Sequence, residues 1–82
     1  MILINVIFAE TNQEYDFKVD EQASVEQIAK EMVIMIAEKE HDVLKKDPGL
    51  FLLCDLETSQ IFSPMTSLLM NGVTSGKTLM LV

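Results

Sequence analysis

Residues that usually carry chemistry are scarce in this 82-residue chain, which has one cysteine and one histidine. A lone cysteine excludes an internal disulfide, and no Cys/His cluster has metal-ligand spacing. Cys54 stands inside an apolar run, where a buried, inert thiol is expected. Basic residues are also few, 6 against 13 acidic, for a net charge of −7. That field repels phosphate backbones, so nucleic acid is not an expected partner. Long hydrophobic runs are missing too. "MILINVIFAETNQ" lacks a basic leading region, is too short to span a bilayer and passes at once into acidic and amide residues. It reads as a strand, with neither a signal peptide nor membrane insertion expected. Without an export signal, a cytoplasmic location is the expectation. Repeats, low-complexity tracts and linkers are absent, so residues 1–82 are read as a single domain with one core.

Apolar residues make up 49% of the chain, enough to require a packed core. Ile2 to Phe8 is an apolar run broken only by Asn5. Ala9 to Asn12 supplies turn residues, and "QEYDFKV" then alternates, with Tyr15, Phe17 and Val19 on one side and Glu14, Asp16 and Lys18 on the other. Period two predicts a half-buried strand, so residues 2–19 read as a β-hairpin. Ser24-Val25-Glu26-Gln27 has a capping-box pattern. Val25, Ile28, Ala29, Met32 and Ile36 follow at helical spacing and form the core-facing stripe. Val33 and Met35 flank that stripe, where both methionines, Met32 and Met35, are expected to pack, while Ile34 points away. The helix should reach Glu40. "HDVLKK" leaves its end open until Asp47-Pro48-Gly49 stops it. "LFLLCDL" (Leu50 to Leu56) predicts a third strand, Ile61-Phe62 a short fourth halted by Ser63-Pro64, and Lys77 to Val82 the last.

Gly76-Lys77-Thr78, behind an earlier glycine, imitates the end of a phosphate-binding loop. Such a loop needs G-x-x-x-x-G-K-[ST] followed by a helix whose N-terminus faces the phosphates. Gly72 lies one residue too close, and only Leu79, Met80, Leu81 and Val82 follow Thr78. The glycines are expected instead to allow positive φ in the turn that feeds the last strand. A nucleotide-binding enzyme is not expected on this ground.

The pattern Leu68-x-x-x-Gly72-Val73-x-x-Gly76-x-x-Leu79-x-Leu81, with the ββαββ order and a final β-strand, resembles the ubiquitin-like β-grasp domains. Among them the chain looks most like the bacterial YukD/EsaB-type proteins of type VII secretion, which are similar in length and finish on a strand like Leu79-Met80-Leu81-Val82. The resemblance implies an α+β fold with a mixed sheet of four to five strands and one main helix packed on one face. It also implies a non-catalytic, cytoplasmic accessory or regulatory component that binds secretion-machinery proteins. Ubiquitin-like conjugation and sulfur-carrier chemistry need a terminal Gly-Gly. This sequence stops at Val82 inside its last strand, so neither activity is expected. A small non-catalytic subunit of a multicomponent enzyme such as an oxygenase is the alternative reading.

With the helix on one sheet face, alternation assigns each strand residue. Asn5 marks the outer side of the first strand, leaving Ile2, Ile4, Val6 and Phe8 inward. Asp55 is taken to mark the outer side of the third strand, which puts Leu50, Leu52, Cys54 and Leu56 inward. Leu79 and Leu81 face in. The residues left on the uncovered face are Leu3, Ile7, Phe51, Leu53, Met80 and Val82, an apolar patch read as a protein-interaction surface. At roughly 500 Å² it would contribute about 12 kcal/mol gross, against an association cost of about 4–15 kcal/mol. A weak homodimer or a regulated partner fits that balance.

No catalytic residue, metal site or cofactor is assigned. His41 lies at the helix end beside Glu40 and Asp42, a favourable charge–dipole position, and no nucleophile accompanies it. Glu26, Glu31, Glu38 and Glu40 are scattered among Lys30 and Lys39 as a solvated helix face. Asp16, Asp20 and Glu21 lack the spacing of a calcium loop.

Overall fold

The computed structural model describes residues 1–41 and 46–82. The first strand, β1 (Ile2–Phe8), pairs antiparallel with β2 (Gln13–Val19) in the register Ile4↔Phe17 and Val6↔Tyr15. The turn between them closes when the Asn12 amide donates to the Phe8 carbonyl at 2.7 Å, with Asn12 itself at φ 59°. Asparagine tolerates that left-handed conformation better than most residues do.

Helix α1 (Val25–Glu40) begins as its capping pattern predicts, with the Ser24 hydroxyl accepting from the Gln27 amide at 3.2 Å. The Gln27 side chain does not reach back to the cap and instead donates to Glu31. Two more first-turn amides, those of Val25 and Glu26, donate to the carbonyls of Thr66 and Pro64. The loop before the last strand thus satisfies donors that a helix start leaves open. The stripe Val25, Ile28, Ala29, Met32 and Ile36 is buried, with Val33 beside it. Met35 is the exception to the expected packing, because it is 55% exposed and lines an open groove between the helix and β2. At the other end His41 adopts a left-handed cap, its amide pointing to the Ala37 and Glu38 carbonyls. Residues 42–45, where continuation of the helix was left open, lie outside the described residues.

A single 3₁₀ turn, Pro48–Leu50, follows, with the Asp47 carboxylate accepting from the Gly49 amide at 2.8 Å. The third strand, β3 (Leu53–Asp55), is shorter than expected, and the predicted fourth is reduced to one bridge between Ile61 and Cys54. The last strand, β4 (Thr78–Leu81), lies parallel to β1 and antiparallel to β3, giving a four-stranded mixed sheet in the order β2-β1-β4-β3. The helix supplies the crossover that a parallel neighbour requires. It covers one sheet face, and Ile4, Val6, Phe8, Phe17, Leu79 and Leu81 close the core beneath it.

In the C-terminal segment the apolar positions Leu68, Val73, Leu79 and Leu81 are all buried, while Gly72 and Gly76 hold φ values of 72° and 92°. A methyl group added at either glycine would meet nothing within 4 Å. Glycine is needed there for backbone conformation and not for space. Gly76-Lys77-Thr78 is therefore a turn: the Gly76 amide donates to the Leu3 carbonyl at 2.7 Å, and Thr78 opens β4.

Candidate functional site

The uncovered face of the sheet is built by strand pairing. Ile7 lies opposite Met80, Met80 opposite Cys54, and Cys54 opposite Ile61. Directly opposed residues share a face, so these four form one apolar row across three strands and the return segment. Leu52 and Val82 exchange backbone hydrogen bonds at 2.7 and 2.8 Å and stand one step along the same face. Ile61 is 56% exposed and Leu52 38%, while Ile7, Cys54, Met80 and Val82 are half-buried.

This arrangement corrects the face assignment of β3. Phe51 and Leu53 point into the core, 5% and 0% exposed, and Phe51 packs on Phe8 with ring centroids 5.6 Å apart. Leu50, Leu52 and Leu56 are exposed, and Cys54 is half-buried on the bare face. The error has one physical source, the assumption that a charged side chain marks the outer side. Asp55 occupies an inward-phase position opposite Leu79 at the end of the sheet and is buried. One carboxylate oxygen accepts from the Glu57 amide at 2.9 Å, and the other pairs with Lys77 Nζ at 3.3 Å. Glu57 adds a second contact to Lys77 at 3.6 Å. Burial pushes the Asp55 carboxyl up, but the Glu57 amide and Lys77, with the Thr58 amide, outweigh it and hold the group below its ordinary value. The lysine that imitated a phosphate-loop residue is thus engaged by two carboxylates.

Of the six residues assigned to the patch, Leu3, Ile7, Met80 and Val82 lie on the uncovered face. Leu3, 52% exposed, stands apart from the others, because Asn5 intervenes and donates to Asp16 at 3.1 Å. Leu52, Cys54 and Ile61 complete the row and were missed. The first two belong to the other phase of β3, and Ile61 joins through its pairing with Cys54, which no local pattern shows. Burial and the neighbouring Asp55 charge both push the Cys54 thiol up, so it is protonated near neutral pH and acts as a small apolar side chain.

The face is bordered along β2 by Glu14, Asp16 and Lys18, all exposed. His41, Glu26, Glu31, Glu38 and Glu40 are exposed on the opposite, helical side. Glu40 reaches across the fold, accepting from the Tyr15 hydroxyl at 2.9 Å. Among the described residues no helix is long and apolar enough to cross a membrane.

One helix on a four-stranded mixed sheet, with β1 and β4 parallel at its centre, defines a ubiquitin-like β-grasp domain of the α+β class. Solved structures share that fold. A computationally designed protein based on a human erythrocytic ubiquitin template aligns with TM-score 0.70 and 22% identity over 100% of this chain and 90% of its own. The ubiquitin-like domain of Plasmodium falciparum Dsk2 aligns with TM-score 0.71 and 18% identity, covering 99% and 95%. A chain of the toluene 4-monooxygenase HD complex, solved with the inhibitor 4-bromobenzoate, aligns with TM-score 0.81 and 14% identity, again covering 99% and 95%. No family model matches the sequence, and no curated protein matches it either.

Proposed function

We propose that this chain is a non-catalytic protein-binding module whose contact surface is the apolar row on the uncovered sheet face. The observation that carries this reading is the continuity of the row. Ile7, Met80, Cys54 and Ile61 are adjacent across four segments, with Leu52 and Val82 extending them, and nothing among the described residues lies over them. Scattered exposed apolar side chains are ordinary, whereas a contiguous set rimmed by charge marks a contact surface. The ubiquitin-like architecture supports the same reading, since its one helix leaves a sheet face bare.

The pathway we propose first is that of an accessory or regulatory component of a type VII secretion system in the bacterial cytoplasm. It rests on the similarity of the Leu68–Val82 pattern to YukD/EsaB-type proteins. A second reading, a small non-catalytic subunit of a multicomponent oxygenase, is favoured by one observation. The backbone overlays the monooxygenase-complex chain with TM-score 0.81, against 0.70 and 0.71 for the two ubiquitin-like structures.

The deciding experiment is affinity capture from native cytoplasm with the wild-type chain and with Met80→Asp and Ile61→Asp. Both substitutions put a charge on the row and spare the core. The wild type should retain a protein that both variants lose while their melting curves stay close to wild type. Secretion-system components among the captured proteins select the first pathway, and hydroxylase subunits select the second. Equal capture by all three chains would remove the row as the contact surface.

A further inference from the structure

The two edges of the sheet are finished differently. The outer edge of β3 is covered by the chain's own return segment: the Asp55 amide donates to the Gln60 carbonyl, and the Phe62 amide to the Leu53 carbonyl, both at 2.9 Å. The edge of β2 has no such cover among the described residues. Its hydrogen-bonding parity follows from β1, where the amides of Asn5 and Ala9 donate to the Lys77 and Leu81 carbonyls on the β4 side. Odd-numbered residues of β1 thus face β4, and even-numbered ones face β2. The β2 partners of those even residues are Gln13, Tyr15, Phe17 and Val19. The amides and carbonyls of Glu14, Asp16 and Lys18 therefore point out of the sheet. Three consecutive donor–acceptor sites are aimed at whatever lies beside the strand.

We propose that this edge takes a second copy of the chain, β2 against β2 antiparallel, about a two-fold axis at Phe17. The register follows from charge. With the axis at Phe17, Asp16 lies opposite the partner's Lys18, and Lys18 opposite the partner's Asp16. Two opposite-charge pairs form on the bare face, and the outward sites of Asp16 and Lys18 meet their counterparts. Moving the axis to Asp16 would form two Glu14–Lys18 pairs instead, but would set the two Asp16 carboxylates against each other at the centre of the pairing, where the repulsion is least relieved. In the favoured register Glu14 meets the partner's Asp20 only at the strand ends, where water and salt screen the repulsion. On the helix side the same edge is flanked by an open groove of about 490 Å³ lined by Tyr15, Phe17, Met35 and Ile36. Tyr15 then lies opposite the partner's Val19, and each copy covers the other's exposed Met35 wall. This self-complementarity is what a two-fold interface requires. One strand edge is small beside the roughly 1,200–2,000 Å² of stable complexes, so the dimer is a weak one.

Sedimentation equilibrium across a concentration series tests the proposal. The wild type should shift from monomer to dimer with a dissociation constant on the order of 0.1–1 mM. Asp16→Lys and Lys18→Asp should each weaken association about tenfold by setting like charges opposite each other. The double swap Asp16→Lys/Lys18→Asp restores opposite charges and should restore the dimer. A merely structural role for either residue would not give that rescue. Hydrogen exchange should show the Glu14, Asp16 and Lys18 amides gaining protection as concentration rises, and Ile61→Asp on the apolar row should leave that gain unchanged. Loss of capture by the Ile61→Asp chain therefore bears on the row alone, and loss of edge protection bears on the dimer alone. A wild type that stays monomeric throughout would overturn the proposal. So would folded single variants that associate as the wild type does, or a double swap that fails to recover.

Discussion

The two faces of the sheet carry similar side chains in opposite circumstances. On the helix side Leu53 and Leu81 face each other with 0% exposure, and one residue along each strand Leu52 and Val82 face each other on the bare side, with Leu52 38% exposed. Nothing intrinsic to leucine distinguishes Leu52 from Leu53. The pleat alone sends one into the core and leaves the other toward water. Apolar character thus holds the fold together on one side of this small sheet and is left toward water on the other.

That contrast is most directly broken by placing the same charge on either side. Leu53→Asp should cost about 5 kcal/mol or more, through lost packing and a buried unpaired carboxylate. A domain of this size has about 5–15 kcal/mol in all, so the variant should be largely unfolded. Leu52→Asp, one residue away, should stay within about 1 kcal/mol of wild type. Urea melts followed by far-UV circular dichroism measure both. Similar losses in the two variants would mean that the faces are not energetically distinct. A smaller effect concerns the turn that sets the phase of β4. Gly76→Ala meets no steric obstacle, so any loss reports the left-handed backbone alone, and should be about 1–2 kcal/mol. Gly49, whose φ is not positive, should tolerate alanine better if its Asp47 neighbour, 3.2 Å from the added Cβ, gives way.

Much of the fold could be read from local pattern because local physics decides it. Alternation of Tyr15, Phe17 and Val19 placed β2. The Ser24 cap and the stripe from Val25 to Ile36 placed the helix, and Gly72 and Gly76 announced a turn. The third strand resisted for a definite reason. Leu50-Phe51-Leu52-Leu53 is apolar at every position and carries no phase, so the nearest polar residue, Asp55, was made to supply one. In β1 the same reasoning succeeds, since Asn5 does face outward and binds Asp16. It fails at Asp55 because Lys77, 22 positions further along the chain, compensates an inward carboxylate. Long-range pairing of this kind has no local signal. Ile61 and the open edge of β2 escaped for the same cause, because both are properties of which strand lies beside which.

Asp55 also gives the smallest test of the contrast, as the one charged side chain in the inward phase of the strands. Its carboxyl is lowered from an ordinary 3.8 by the Glu57 amide, Lys77 and the Thr58 amide acting against burial. Between its folded value and 3.8 the folded chain binds fewer protons there than the unfolded chain does. The stabilisation is therefore complete above 3.8 and lost as pH falls through the folded value. Lys77 runs in the other direction. The hydrogen bond to Asp55 raises it from 10.5 against burial, aided by the charges of Asp55 and Glu57, so its share is complete below 10.5 and lost as pH climbs through the folded value. Asp55→Asn keeps the shape of the side chain and removes both effects. Its deficit in melting temperature relative to wild type should be greatest near neutral pH and shrink as pH drops below 3.8, measured by calorimetry from about pH 7 to about pH 2. Because every other carboxylate titrates in both proteins, only the difference between the two curves reports Asp55. A deficit that stays constant across that range would mean that shape rather than charge holds Asp55 in place, and the inner face would then have no ionic exception.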